Sequence, residues 1–237
     1  MFKWIFFLGI FFQSYALDNV AEMVWYHESN HQPERLDLLT FWNEKEPFPS
    51  IGIGHFIWPP ESYEGAFSSG RFHRFIQFAI ERGADVPDWL REARYCPWES
   101  REEFYAAQAS EKMQEFQTFV QDTMDLQAAY MTQRLERFKE RLLNEGYTQE
   151  YEKLMGIDVA ILVDYLNFKH EGFDPKERYQ GQGWGLFQVL QKMNGFDSNA
   201  FADAAKILLI KRVANAPDPI SESWWIPIWF ERLDSYR

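Results

Sequence analysis

One cysteine, Cys96, stands among the 237 residues, so no disulfide forms within the chain. It lies in Tyr95-Cys96-Pro97-Trp98, and the nearest histidine in sequence is His73, so a packed thiol is expected rather than a nucleophile. Basic residues are in deficit: 24 Lys and Arg face 36 Asp and Glu, a formal charge of −12. That balance argues against tracking a nucleic-acid backbone by electrostatics, and against electrostatic capture by an anionic surface. Of the five histidines, only His27 and His31 stand four apart. That pair spans a predicted helix end, where the facing geometry is lost, so no metal and no cofactor are expected. A Gly-x-Ser-x-Gly elbow is also missing, which argues against a Ser-His-Asp hydrolase. Internal repeats, low-complexity runs and long flexible linkers are absent too.

Long apolar runs are scarce. Trp4 to Phe12 is one, nine residues long and too short to span a bilayer as a helix. Met1-Phe2-Lys3 before it is a short basic start, and Ser14-Tyr15-Ala16 after it is a small-x-small site. Residues 1–16 therefore read as a secretory signal peptide cleaved after Ala16. The mature chain is expected in the periplasm or outside the cell, with no stable membrane insertion after cleavage.

What remains is rich in core-forming residues. Apolar residues make up 46% and aromatics 18%, which marks a globular chain long enough to bury a real core. The spacing predicts a short helix over 19–28, with Val20, Met23 and Val24 on one face. Trp42 to Trp58 reads as a β region closed by Pro59-Pro60. From Phe72 the pattern is helical: Phe72, Phe75, Ile76 and Ala79 share a face, and Gly83 stops it. Ser100-Arg101-Glu102-Glu103 reads as a capping box opening a long helical tract. Within it Met131, Leu135, Phe138 and Leu142 step by four, three and four. Apolar helices follow over 157–168, 184–193 and 201–213. Trp224, Trp225, Trp229 and Tyr236 are expected to close the core as an aromatic lid. The fold class is α+β, mainly α: one domain over 17–237, with a first helix and β region over 17–70 and a helical lobe over 71–237.

The stretch with the most chemical content is Ser50-Ile51-Gly52-Ile53-Gly54-His55. Two alternating glycines after Pro47-Phe48-Pro49 suggest a tight hairpin arm, where the backbone needs φ > 0 or close approach to a neighbour. Glu44 stands six positions before the serine, and Glu28 ends the predicted first helix. A carboxyl at a helix C-terminus faces the negative end of the dipole, which disfavours its charged form, and a general acid must keep its proton.

Glu28, Glu44 and Ser50 to His55 resemble the phage-type lysozymes. In that family a glutamate ends the first helix, and a β-hairpin carries an acid, a hydroxyl residue and a Gly-x-Gly-His turn beside a cleft between two lobes. The order of later elements is similar as well, through Asp164-Tyr165-Leu166-Asn167-Phe168-Lys169-His170-Glu171-Gly172 and the helices after it. There are departures: the gap from Glu28 to Glu44 is longer than the family's, the hairpin acid is glutamate where aspartate is usual, and Ser50 replaces a threonine. Glu46 competes with Glu44 for the second carboxylate. A rival resemblance lies in Glu171-Gly172-Phe173-Asp174-Pro175-Lys176 with Gly183-Trp184-Gly185-Leu186-Phe187-Gln188. These look like the goose-type lysozymes and lytic transglycosylases, but the serine after the catalytic glutamate is missing.

Both resemblances imply cleavage of the peptidoglycan glycan strand between N-acetylmuramic acid and N-acetylglucosamine. The alternative is a non-catalytic protein on the same fold that binds glycan or a periplasmic partner, and a monomer is expected. In the first resemblance, Glu28 is the acid, Glu44 assists the water or the oxocarbenium charge, Ser50 orients the water, and His55 braces the hairpin. If Glu44 points away, Glu28 acts alone and the product is an anhydro sugar. In the second, Glu171 is the acid. With an acidic chain, glycan must be held by aromatic stacking and hydrogen bonds. Trp25, Trp42, Trp58 and Trp184 are candidates for stacking, and Gln182 and Gln188 for N-acetyl groups. With ten tryptophans in the chain, most must be core.

Overall fold

A computed structural model describes residues 17–63 and 71–237. The expected signal peptide over 1–16 lies outside the described residues, as do 64–70, where the boundary between the two expected lobes falls. The chain is mainly helical, with small antiparallel sheets, as the pattern predicts. It divides into two compact units, 1–131 and 132–237. Their boundary falls inside the helix Met124–Asn144.

In the first unit, helix α1 covers the described residues 17–28. A 3-10 turn over Leu36–Leu39 leads into β1 (Thr40–Phe41), followed by β2 (Ser50–Ile51) and β3 (Phe56–Ile57). These form one antiparallel sheet in the order β1-β2-β3, with Ser50 opposite both Phe41 and Ile57. Each strand is only two residues long, because two of the four residues between β2 and β3 are glycines in a turn, not a ladder. Pro60 ends the β region in an isolated bridge to Cys96.

Helix α2 (Phe72–Glu81) buries the expected face, and Gly83 follows it at φ 76°. Helix α3 (Asp88–Arg91) is a single turn. The tract expected to run on from Ser100 is three helices: α4 (Arg101–Ala106), α5 (Glu111–Asp122) and α6 (Met124–Asn144). Small hydroxyl residues make the breaks. Ser110 caps α5 by accepting from the Met113 N–H at 3.2 Å. The Thr123 hydroxyl donates to the Phe119 carbonyl at 2.7 Å, giving the backbone an alternative to continuing the helix. Ser100 caps α4 through the Glu103 N–H, but the Glu103 carboxylate reaches one residue further back, to the Glu99 N–H at 2.9 Å. The unit's core is aromatic. Trp58, Phe72, Phe75, Phe104 and Phe116 are fully buried, with the Trp58 ring 5.0 Å from Phe72 and 5.4 Å from Phe116.

In the second unit, α7 (Thr148–Met155) precedes α8 (Val159–Phe168), which is buried continuously from Ala160 to Asn167. The hairpin of β4 (Arg178–Tyr179) and β5 (Gln182–Gly183) follows, then α9 (Leu186–Lys192), α10 (Ser198–Asn215), α11 (Pro219–Ser223) and α12 (Ile226–Asp234). Two buried charges tie these helices together. Lys153 on α7 donates to the Leu190 and Met193 carbonyls, each at 2.9 Å, and so caps the C-terminal end of α9. Asp164 on α8 receives a bidentate pair from Arg232 on α12 at 2.8 and 2.6 Å, and the Tyr236 hydroxyl donates to it as well. The expected aromatic lid is corrected here. Trp229 and Tyr236 are buried, but Trp224 is 77% exposed and Trp225 53%, because they sit at the corner between α11 and α12.

Candidate functional site

The residues singled out in the sequence fall into three groups. The first is built on the end of α1 and the turn between β2 and β3. Glu28 is the last residue of the helix. Its carboxylate oxygen Oε2 lies 3.5 Å from Nδ1 of His55, and the side chains are 17% and 19% exposed, respectively. The edge-on ring of Trp25 lies 6.0 Å from the imidazole. His55 therefore sits with the carboxylate and the indole as neighbours, at the surface end of the aromatic core.

The backbone here is held in a sparsely populated conformation. Four described non-glycine residues have φ in the left-handed region: Asn30 (53°), His31 (62°), His55 (44°) and Gln180 (49°). One of them is His55 itself, and two, Asn30 and His31, directly follow the helix that Glu28 ends. Such residues cost energy and persist only where their surroundings over-determine them, and they cluster at functional sites. At the end of α1 the His31 N–H donates to the Tyr26 carbonyl at 2.8 Å, and the two rings stack 4.5 Å apart. That closes the helix immediately after Glu28.

The glycine pattern of the turn has a packing cause. Gly52, at φ 75°, donates its N–H to the Leu39 carbonyl at 2.6 Å. A Cβ on it would lie 2.2 Å from the side-chain oxygen of Gln127 on α6. A Cβ on Gly54 would lie 2.7 Å from the Phe56 ring and 2.8 Å from the Met131 sulfur. Gln127 is completely buried and accepts from the Ile53 N–H at 2.8 Å. The sequence reading missed it. The available signal was a polar residue one step ahead of Met131 on the apolar stripe of α6. Ser50 lies in β2 at the centre of the sheet and is buried.

The second group is Trp42, Glu44 and Glu46. They line a hollow of about 580 Å³ with Tyr63, Glu99 and Arg101 at the start of α4. Neither Glu28, Ser50 nor His55 is among its walls. The Glu44 side chain is 81% exposed and faces the Arg101 guanidinium at 3.6 Å. Glu46 is exposed as a residue, yet lost hydration raises its carboxyl above the ordinary value; its exposure limits how far that goes. Trp42 is buried, and its indole N–H donates to the Glu46 carbonyl at 2.7 Å. Trp25, Trp58 and Trp184 are buried too, so all four indoles considered for stacking belong to the core.

The third group belongs to the second unit. Glu171 follows α8 and is half-buried; its carbonyl accepts from the Phe187 N–H at 2.9 Å. Gln188 is buried and turns both ends of its amide to the chain, accepting from the Gly185 N–H at 3.0 Å and donating to the Gly172 carbonyl at 2.7 Å. The Gly172, Gly183 and Gly185 backbones close around this side chain and His170, leaving no room for a Cβ. The Gly-Trp-Gly-Leu-Phe-Gln pattern is thus a staple between a loop and the start of α9. Gln182 is half-buried and donates to the Gly183 carbonyl at 2.8 Å.

No model of a known protein family matches the chain, and neither does any curated protein or solved structure. The site must therefore be judged on its own geometry. One carboxyl, partly buried and 3.5 Å from an imidazole on a strained turn, has the chemistry to donate and accept a proton. Two further carboxylates, Glu44 and Glu46, line a separate open hollow.

Proposed function

We propose that the protein cleaves the glycan strand of peptidoglycan between N-acetylmuramic acid and N-acetylglucosamine, with Glu28 as the general acid. The observation that carries this reading is the Glu28 carboxylate 3.5 Å from His55 on the Gly52-Ile53-Gly54-His55 turn. It supports a lysozyme-like arrangement, in which a helix-ending glutamate meets a glycine-rich hairpin. Glu28 gives its proton to the glycosidic oxygen and the bond to C1 breaks. Water adds at C1, and its proton goes to a carboxylate. His55 holds the Glu28 side chain in place.

The second carboxylate decides the product. Glu44 is engaged with Arg101 and open to solvent, which favours a variant of the same chemistry. There Glu28, left as a carboxylate, takes the proton from a hydroxyl of the muramic sugar itself. That oxygen attacks C1 and gives an anhydro product. A signal peptide over 1–16 would place the reaction in the periplasm or outside the cell.

Muropeptide analysis of purified peptidoglycan treated with the mature protein, with Glu28→Gln, Glu44→Gln and Glu171→Gln in parallel, tests this reading. Reducing-end products lost in Glu28→Gln and Glu44→Gln are expected of a hydrolase. Anhydro products lost in Glu28→Gln alone are expected of a transglycosylase. Activity retained in Glu28→Gln and lost in Glu171→Gln overturns the assignment of the acid. Binding to the sacculus without any product overturns the enzyme reading and leaves a glycan-binding protein.

A further inference from the structure

Gln127 does not touch Glu28 or His55 in any contact described above, yet it bears on both. Its amide is oriented from one side by the corner between α5 and α6. There the side-chain nitrogen donates to the Val120 carbonyl at 2.7 Å and approaches the Thr123 hydroxyl at 3.3 Å. With the NH2 end fixed in that direction, the oxygen must point at the β2–β3 turn, where it accepts from the Ile53 N–H. Gly52 leaves the space that this oxygen fills. The His55 N–H in turn donates to the Gly52 carbonyl at 3.1 Å, at the residue whose φ of 44° aims its ring at Glu28. A left-handed non-glycine residue holds its conformation only while the surrounding turn is fixed. The chain of contacts runs from a buried amide, through two backbone peptides, to the orientation of the imidazole.

We infer that Gln127 is a positioning residue for the Glu28–His55 pair, acting through the Gly52–Ile53 backbone. This rests on the reading of Glu28 as the acid for its consequence in catalysis, but not for its geometry. A buried Met of similar length fills the space and makes none of these hydrogen bonds. It leaves the Ile53 N–H unsatisfied and the turn free to relax. Thr123→Val is the milder change: it keeps the side-chain volume and the Ile53 hydrogen bond, and removes one of the two groups that orient the amide together with the hydroxyl bond to the Phe119 carbonyl.

The test follows the ring NMR signals of His55 in the full chain, comparing each background with and without Glu28→Gln. In the native background, Glu28→Gln is expected to shift these signals, because the carboxylate is the ring's neighbour. In Gln127→Met the response is expected to fall by half or more, and in Thr123→Val by a smaller, measurable amount, with the backbone amide pattern of the helices retained. A full response in either folded variant overturns the inference, and so does the lack of any response in the native background. Where Gln127→Met does not fold, Thr123→Val decides. On peptidoglycan, Gln127→Met is expected to lower kcat about ten- to a hundredfold with KM nearly unchanged. If the native protein cleaves no glycan, the proposed function fails and the NMR comparison still decides the positioning role.

Discussion

Gly52 and Gln127 occupy each other's space: a Cβ on the glycine would lie 2.2 Å from the glutamine oxygen. The turn that carries His55 exists in this form because one residue has no side chain and the other has a buried amide. The glycine is needed twice over, since φ at this position is 75°.

Gly52→Ala is therefore expected to destabilise the protein by roughly 2–4 kcal/mol, from left-handed strain together with overpacking. Urea unfolding of the full chain measures it. Adding Gln127→Ala to that background should cost less than Gln127→Ala alone, because the collision has been removed. Strict additivity of the two changes would show that the pair is not coupled.

Asp164 is completely buried against Arg232 and Tyr236. Burial, and then the Asp164 charge, raise the Tyr236 phenol well above its ordinary value, so it remains a donor at all working pH. Asp164→Ala strands the guanidinium and is expected to cost about 3–5 kcal/mol. Asp164→Leu with Arg232→Met should recover much of that in a denaturant titration. A double variant as unstable as the single one would refute the account.

The Glu46 carboxyl is held above its ordinary value by lost hydration, so the folded state favours its protonated form. Stability from this group is complete below the pKa of the unfolded chain and declines as pH rises through the folded value. Glu46→Gln is expected to raise the thermal midpoint slightly at about pH 7 and leave it unchanged at about pH 3. A loss of stability at the higher pH would mean that Glu46 is paired as an anion.

Burial pushes the Cys96 thiol up to about 12, so it carries almost no thiolate under ordinary conditions. A disulfide reagent at about pH 8 should leave the folded protein unmodified and titrate one thiol after denaturation. Rapid reaction in the native state would place Cys96 on an accessible surface.

Trp224 and Trp229 are close in sequence and opposite in burial, at 77% and 5% exposed. Trp229 lies over the Lys169 ammonium at 3.9 Å and the Arg212 guanidinium at 4.9 Å. Trp229→Ala is expected to cost about 3–5 kcal/mol, and Trp224→Ser less than about 0.5 kcal/mol. Chemical denaturation of the two variants separates them; similar losses would restore the aromatic lid.

Much of this architecture was legible in local pattern. The faces Phe72–Phe75–Ile76–Ala79 and Met131–Leu135–Phe138–Leu142 are buried as their spacing predicts, because helical periodicity is a property of neighbouring residues. The breaks at Ser110 and Thr123 were harder to read. A hydroxyl that caps the next helix, as at Ser110, or bonds back to the last one, as at Thr123, looks in sequence like any polar position on a solvated face. The roles of Gln127 and Gln188 were not legible as such, since their partners are backbone groups of distant segments.

The sequence by itself determined the mainly helical class, the packed thiol, and the places where Gly52 and Gly54 make the chain turn. These follow from residue volume, period and backbone freedom, which act over a few positions. Only the tertiary structure decided that Glu28 meets His55, that Glu44 turns to Arg101, and that Trp25, Trp42, Trp58 and Trp184 are core. Which groups become neighbours depends on how separate elements pack, and a polar side chain takes whichever backbone or charge that packing presents.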